Sequence, residues 1–130
     1  MKKAVLGARI VLGLIYAVFG LNGFLAFLPN PELSGGAADF MGALAATGYM
    51  FPLIKLTELV SGVLLLAGVF VPLALILLAP VVVNIVLFHA VPAPEGIALG
   101  LVSLLLGVFL AWAYRDAYAP VLRSRSEPSV

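Results

Sequence analysis

The sequence predicts an all-α integral membrane protein, a four-helix bundle with a short interfacial helix between spans one and two. Three observations lead to this class. Hydrophobic residues make up 64% of the 130 positions and charged residues only 10%, whereas a soluble domain carries about 25% charged residues. Mean hydropathy is +1.22. The apolar residues are also gathered into four stretches, each close to the roughly 20 residues that a spanning helix needs.

The spans follow one another along a single domain of 130 residues. The first apolar run follows Met-Lys-Lys but is too long for the core of a signal peptide, so we expect it to remain uncleaved. Pro52 and Pro72 fall where the second and third spans begin, a position at which the missing N–H of proline has no cost. Residues 115–130 turn polar and predict a cytoplasmic tail. The predicted spans are approximately residues 4–28, 52–70, 72–91 and 96–114.

The connection between the first two spans, residues 29–51, is too long for a simple turn. Within it, residues 37–46 predict a short helix with one apolar face, which Ser34 or Gly35 begins and Gly48 follows. About ten residues cannot cross a bilayer, so we expect this helix to lie at the interface. Packing on the outer end of the bundle and covering a ligand pocket both remain open as its role.

The charges divide between the two sides of the predicted bundle. The outer loops carry acidic residues, with Lys55 the one basic residue near them. The positive-inside rule then places both termini in the cytoplasm, in the cell inner (plasma) membrane. The six basic residues on the inner side are Lys2, Lys3, Arg9, Arg115, Arg123 and Arg125.

Small residues recur at helical spacing on two of the spans, as expected where helix backbones approach closely in lipid. We therefore expect the four helices to pack compactly, and whether any stripe also serves a homo-oligomer stays open. The stripe on span one is Gly13, Ala17 and Gly20, and the stripe on span four is Gly96, Gly100, Ser103 and Gly107.

A few polar side chains interrupt the apolar spans near their outer ends. Counted inward, Asn22, Glu58 and Asn84 lie about 9 Å deep at 1.5 Å per residue. Buried amides and carboxyls in a membrane face one another, a cavity or a ligand, so two interpretations remain: interhelical hydrogen bonds that fix the bundle, or a ligand or proton site. Glu58 has either Lys55 or an amide as its partner. The candidate ligand-binding residues are Asn22, Lys55, Glu58, Asn84 and His89.

Several kinds of chemistry are excluded. The chain has no cysteine, so disulfides, thiolate metal sites and c-type haem are ruled out. One histidine and one glutamate are too few ligands for a closed metal site, and a single histidine cannot hold a bis-histidine haem. We expect no metal, no covalently bound cofactor and no nucleic-acid partner.

Arg9 lies at the inner end, where it reaches the lipid phosphates or pairs with a tail residue such as Asp116.

The order and spacing of these motifs resemble the DoxX family of small four-span membrane proteins. Many members of that family carry a lysine where this chain has Gly23, so a role of that lysine is either lost here or taken by Lys55. The matching segments are Arg9 to Gly13, Phe19-Gly20-Leu21-Asn22-Gly23-Phe24, Glu58-x-x-x-Gly62 with Leu64-Leu65-Leu66, Phe70-Val71-Pro72-Leu73-Ala74-Leu75, Ala79-Pro80-x-x-x-Asn84 through Phe88-His89, and Ala111-Trp112.

The resemblance implies an accessory subunit of a membrane redox system that binds a quinone or a lipid at the outer polar site, with electrons supplied by a redox partner protein. A non-catalytic assembly or interaction module is the alternative, and a small transporter is the weaker third reading because no inverted repeat is evident. No complete catalytic or cofactor constellation is present in this chain alone, so whether it is an enzyme stays open.

Overall fold

The computed structural model describes residues 1–29 and 32–130, and within these ranges the chain is helical with no strand. Residues 30 and 31, part of the connection predicted between the first two spans, lie outside the described residues. A 3-10 turn, Pro94–Gly96, leads into the last long helix. The α-helices are α1 (Lys2–Leu25), α2 (Gly35–Ala46), α3 (Met50–Ala67), α4 (Val71–Ala90), α5 (Ile97–Ala113) and α6 (Arg115–Tyr118).

The four long helices form an up-and-down bundle. Helix α1 packs against α3 and α5, and α4 packs against the same two neighbours, so α1 and α4 lie diagonally opposite. Within the described part of the chain, four helices are long and apolar enough to cross a membrane, with mean hydropathies from 1.7 to 2.7. The predicted all-α membrane bundle is confirmed. We call the end with the α3–α4 turn and the start of α1 the basic end, and the opposite end, with α2, the α2 end.

The helices differ from the predicted spans by a few residues at their ends. Helix α1 stops at Leu25 rather than residue 28 because Ala26 takes a left-handed conformation, φ 51°, and donates its N–H to the Asn22 carbonyl. Helix α3 begins at Met50, two residues before the predicted start, and ends at Ala67, followed by the left-handed Gly68 with φ 73°. The interfacial helix is present and Gly48 follows it with φ 79°.

Glycines on α1 and α3 bring these two backbones into direct contact. A Cβ at Gly62 would lie 2.8 Å from the Gly13 oxygen and 2.8 Å from the Ala17 Cα. A Cβ at Gly20 would lie 2.5 Å from the Leu59 nitrogen. These distances confirm that the stripe on span one serves close helix packing.

The stripe predicted on the fourth span is only partly engaged. A Cβ at Gly96 would collide with the His89 ring, and one at Gly100 would touch Ile85 at 3.4 Å. A Cβ at Gly107 would meet nothing within 4 Å. The prediction of close packing is therefore wrong for Gly107, because α4 and α5 separate toward the basic end. There an apolar groove of about 330 Å³ opens between them.

Candidate functional site

The centre of the candidate site is an ion pair on α3. Lys55 Nζ lies 3.3 Å from Glu58 Oε2, and these two residues form the one salt bridge among the described residues. The Glu58 side chain is 5% exposed and that of Lys55 20% exposed. Helix α3 starts earlier than predicted, so Glu58 lies about 12 Å from its first residue, at 1.5 Å per residue. The carboxylate is thus held inside the apolar bundle while the lysine reaches its surface.

Gly23 on α1 makes room for this pair. A Cβ at Gly23 would press on the aliphatic stem of Lys55, 2.5 Å from its Cδ and 2.9 Å from its Cβ. The absence of a side chain at this position therefore lets the lysine stem lie against the α1 backbone. The ammonium also lies 5.5 Å from the centre of the Phe51 ring. Gly23 is therefore the position at which Lys55 packs on α1.

Three further polar side chains are buried in the bundle: Tyr16 on α1, Ser61 on α3 and Ser103 on α5 are 2%, 0% and 1% exposed. Tyr16 lies near both Ser103 and Glu58. The Ser61 Oγ is buried with no hydrogen-bond partner in the described part of the chain. Together with Glu58 they form a buried polar cluster drawn from three helices.

The sequence did not predict Tyr16 and Ser103 as neighbours of Glu58. Tyr16 was not singled out, because one tyrosine in an apolar span reads as hydrophobic. Ser103 was assigned only to helix packing. A usable signal existed: Tyr16 lies three residues after Gly13 and four before Gly20, so it shares the face that α1 presents to α3. Ser61 lies three residues after Glu58, so the two side chains share one face of α3.

Asn22 is engaged by its own loop. Its Oδ1 accepts a hydrogen bond of 2.7 Å from the backbone N–H of Leu28, six residues further along the chain. This bond satisfies an amide beyond the end of α1 and fixes the chain as it leaves the helix. The structure does not join the Asn22 oxygen to the Lys55–Glu58 pair.

His89 is held in a similar local way. Its Nδ1 lies 2.9 Å from the Ala93 carbonyl oxygen, which can only accept, so Nδ1 carries the proton. The ring stands edge-on to Phe88 at 5.1 Å and fills the space above Gly96. His89 thus closes the turn between α4 and α5.

Asn84 is exposed on the outer surface of α4, together with Pro80. Helix α4 is continuous through Pro80. Equal depth in the membrane therefore does not bring Asn84 to Glu58, since the two side chains point in different directions around the bundle. Of the five candidate ligand-binding residues, the structure brings together Lys55 and Glu58. A ligand-binding role for any of the five stays a prediction.

Arg9 belongs to the basic end. Its guanidinium lies against Gly68 at the C-terminus of α3, where the helix dipole favours a cation. The pairing with Asp116 that the sequence left open is not formed. No group of three or more metal-ligating side chains occurs in the part of the chain that the structure describes.

Four apolar helices around a buried ion pair define a multi-pass membrane protein whose surroundings are a lipid bilayer. The sequence model of the DoxX family matches residues 4–90, from the start of α1 to the end of α4. The chain therefore belongs to the DoxX family, as its motifs predicted. The match ends before Ala111-Trp112. The chain matches no curated protein and no solved structure.

Proposed function

We propose that this protein is an accessory subunit of a membrane redox system that binds a quinone through Lys55 and Glu58. The observation that carries the proposal is the buried Lys55–Glu58 pair, whose lysine is the more exposed member. An ion pair inside an apolar bundle adds little stability, because desolvation offsets much of its attraction. Ionisable groups inside a membrane are accordingly associated with function.

The donor set suits a quinone head, which is apolar and carries two acceptor oxygens. Lys55 has three N–H donors and uses one toward Glu58, at 3.3 Å. The remaining donors are at the bundle surface, and Phe51 supplies an apolar face beside them. Such a combination of a few donors with apolar walls is typical of small-molecule sites.

The route to the pair is restricted by the packing of α1 on α3. At Gly62 the two backbones are in contact, so no ligand enters between these helices on the side of Glu58 that faces the basic end. The approach is from the α2 end, along the exposed side of Lys55. In this arrangement Lys55 donates a hydrogen bond to the ligand. Glu58 holds the ammonium in place and exchanges a proton with the ligand.

A bound quinone supplies two-electron redox chemistry, and the electrons come from a partner protein because this chain has no cysteine and one histidine. The chain's own contribution is binding, orientation and proton transfer. Tyr16 and Ser103 extend the polar cluster from Glu58 toward α5. The buried Ser61 hydroxyl lies one helical turn from the carboxylate, with a free donor.

A second candidate function is a non-catalytic assembly or interaction module. Two local contacts favour it: Asn22 binds the Leu28 amide and His89 binds the Ala93 carbonyl. Both side chains satisfy neighbouring backbone, as structural polar groups do. In this reading the Lys55–Glu58 pair only fixes the register of α3 against α1.

Native mass spectrometry of protein purified gently from its membrane separates the two functions. We compare wild type with Lys55→Met, and use Lys3→Met as the matched control because Lys3 is an exposed lysine at the opposite end. The quinone proposal expects a quinone bound to wild type and to Lys3→Met and lost from Lys55→Met. Glu58→Gln should weaken it less, since the amide oxygen still holds the ammonium.

Thermal unfolding of the same samples provides the second readout. Quinone-free wild type, with Lys55→Met altered only in stability, contradicts the quinone proposal and supports the assembly module. Quinone retained equally by Lys55→Met and wild type also contradicts it. Ser61→Ala sharpens the comparison, because removing a buried hydroxyl without a partner should not destabilise the bundle. Loss of quinone from Ser61→Ala as well as from Lys55→Met would add the Ser61 hydroxyl to the site.

The same proposal places both termini in the cytoplasm and the protein in the cell inner (plasma) membrane. Its support is the cluster of basic residues at the basic end, against the acidic Asp39 and Glu95 toward the α2 end. Because the chain has no cysteine, single-cysteine variants give background-free labelling. An impermeant maleimide applied to intact cells should label Glu95→Cys and leave Ser126→Cys unlabelled. The reverse pattern contradicts the orientation.

A further inference from the structure

We propose that the basic end carries a binding site for the phosphate of an anionic membrane lipid, formed by α1 and the end of α5. The site is separate from the Lys55–Glu58 pair and does not depend on the function proposed for that pair. It is a groove of about 400 Å³ whose charged lining residues are Lys2, Arg9 and Arg115. No carboxylate lies among the lining residues.

The groove brings its cations together through helical periodicity. Lys2, Val5, Leu6 and Arg9 are spaced i, i+3, i+4 and i+7, so they occupy one face of α1. Lys2 lies at the start of the helix and Arg9 about 10 Å further in, at 1.5 Å per residue. Positive groups therefore line the groove both at its rim and at depth.

Arg115 is held in position before any ligand binds. Its Nη1 donates a hydrogen bond of 2.9 Å to the Trp112 carbonyl, and its Cζ lies 4.9 Å from the centre of the Trp112 ring. The guanidinium still has unused N–H donors, which suit the oxygens of a phosphate. A cation that is already ordered loses less conformational freedom when a ligand arrives.

Arg9 lines the groove and carries an unsatisfied donor. Its Nε is buried and has no hydrogen-bond partner among the described residues. Leaving a buried donor unpaired is unfavourable, so a small shift of the Arg9 side chain that brings Nε to an acceptor is favoured. A phosphate oxygen provides that acceptor.

The apolar part of the lining favours a phosphate attached to a lipid. Leu6 is 47% and Trp112 50% exposed, and both lie in the groove beside the cations. Tryptophan is enriched at the membrane–water boundary, and basic grooves between spanning helices at that depth bind phospholipid head groups. An acyl chain or glycerol moiety covers these apolar side chains while the phosphate meets Arg9 and Arg115.

Trp112 also provides the assay, because it is the single tryptophan of the chain. Full-length protein in nonionic detergent is titrated with short-chain phosphatidylglycerol, short-chain phosphatidylcholine or inorganic phosphate while tryptophan fluorescence is recorded. We expect a saturable change with phosphatidylglycerol. The Lys2→Gln and Arg115→Gln variants should bind it about tenfold more weakly, as expected on loss of a charge-assisted contact.

The control is Lys3→Gln, which removes the same charge from a neighbouring residue that does not line the groove. Weakening by Lys3→Gln as large as by Lys2→Gln overturns the proposal, because attraction to surface charge alone would then explain the binding. A response to inorganic phosphate as strong as that to phosphatidylglycerol overturns the lipid assignment. The absence of any saturable response overturns the site.

Native mass spectrometry supplies a readout that does not depend on the tryptophan environment, which Arg115→Gln itself alters. Wild type should retain one phosphatidylglycerol, and Lys2→Gln and Arg115→Gln should lose it under the same conditions. Arg9→Gln is expected to lose it as well, but Arg9 also contacts the α3–α4 turn. The two exposed residues therefore carry the test.

Discussion

The contact between the α1 and α3 backbones predicts that one methyl group at Gly62 will destabilise the bundle. In Gly62→Ala the new Cβ lies 2.8 Å from both the Gly13 oxygen and the Ala17 Cα, and it also collides with the Ala17 nitrogen. Ordinary contact begins at about 3.4 Å. The helices must therefore separate by at least about 0.6 Å, because these atoms are backbone and cannot rotate away.

The size of the effect follows from two opposing contributions. Overpacking a tight site costs about 1–3 kcal/mol, and a collision with backbone belongs near the upper part of that range. Replacing glycine by alanine inside a helix returns about 0.5–1 kcal/mol. We expect a net loss of about 1–2 kcal/mol of unfolding free energy. The measurement is unfolding by sodium dodecyl sulfate in mixed micelles, followed by circular dichroism.

The matched control is Gly107→Ala on α5, where the new Cβ meets nothing within 4 Å. Only the helix-propensity gain applies there, so this variant should be as stable as wild type or slightly more stable. If Gly62→Ala unfolds at the same detergent fraction as Gly107→Ala, the α1–α3 backbone contact is not what holds these helices together.

Three further predictions concern the polar contacts. Asn22→Ala removes a hydrogen-bond acceptor and should cost about 1 kcal/mol, with faster hydrogen exchange of the amide that the side chain binds; unchanged exchange would contradict that bond. Gly23→Ala should displace the flexible stem of Lys55 from Glu58 and raise its labelling by an amine-reactive reagent, and equal labelling would contradict the packing. Burial raises the pKa of the Tyr118 phenol above its usual value of about 10. The neutral phenol, which can donate a hydrogen bond, therefore persists below about pH 10. It is lost as the pH rises through the raised pKa. The difference in phenolate absorbance between wild type and Tyr118→Phe should therefore titrate with a midpoint above pH 10. A midpoint below pH 10 would contradict this prediction.

The fold was predictable because the membrane imposes it. A backbone in hydrocarbon must satisfy its own hydrogen bonds, so four apolar stretches of spanning length are helices whatever their detailed sequence. The ends were less predictable, since they depend on single side chains. Helix α1 ends early at the left-handed Ala26, and the Asn22 side chain then accepts the Leu28 amide, a contact across six residues that apolar periodicity does not encode.

For the candidate site, the sequence predicted only how deep each polar residue lies in the membrane. Position along a span places Asn22, Glu58 and Asn84 at a similar level, but the rotation of each helix decides which side chains meet. Asn84 points out of the bundle. Lys55 and Glu58 meet because they are three residues apart on one helix, a relation that sequence spacing does contain. Tyr16 reaches the same cluster from α1, which no spacing within α3 reveals.

The glycines of α1 connect the packing of the bundle to its polar pair. Gly20 allows α1 to lie directly on Leu59, and one turn further along Gly23 leaves the space that the Lys55 stem occupies. The same missing Cβ atoms that bring the helices together therefore also let a lysine run along the α1 backbone to a buried carboxylate. The two roles are separable by substitution. A methyl group at Gly20 meets backbone atoms that cannot move and should loosen the bundle, whereas one at Gly23 meets a flexible side chain and should disturb the ion pair while leaving the helices in place.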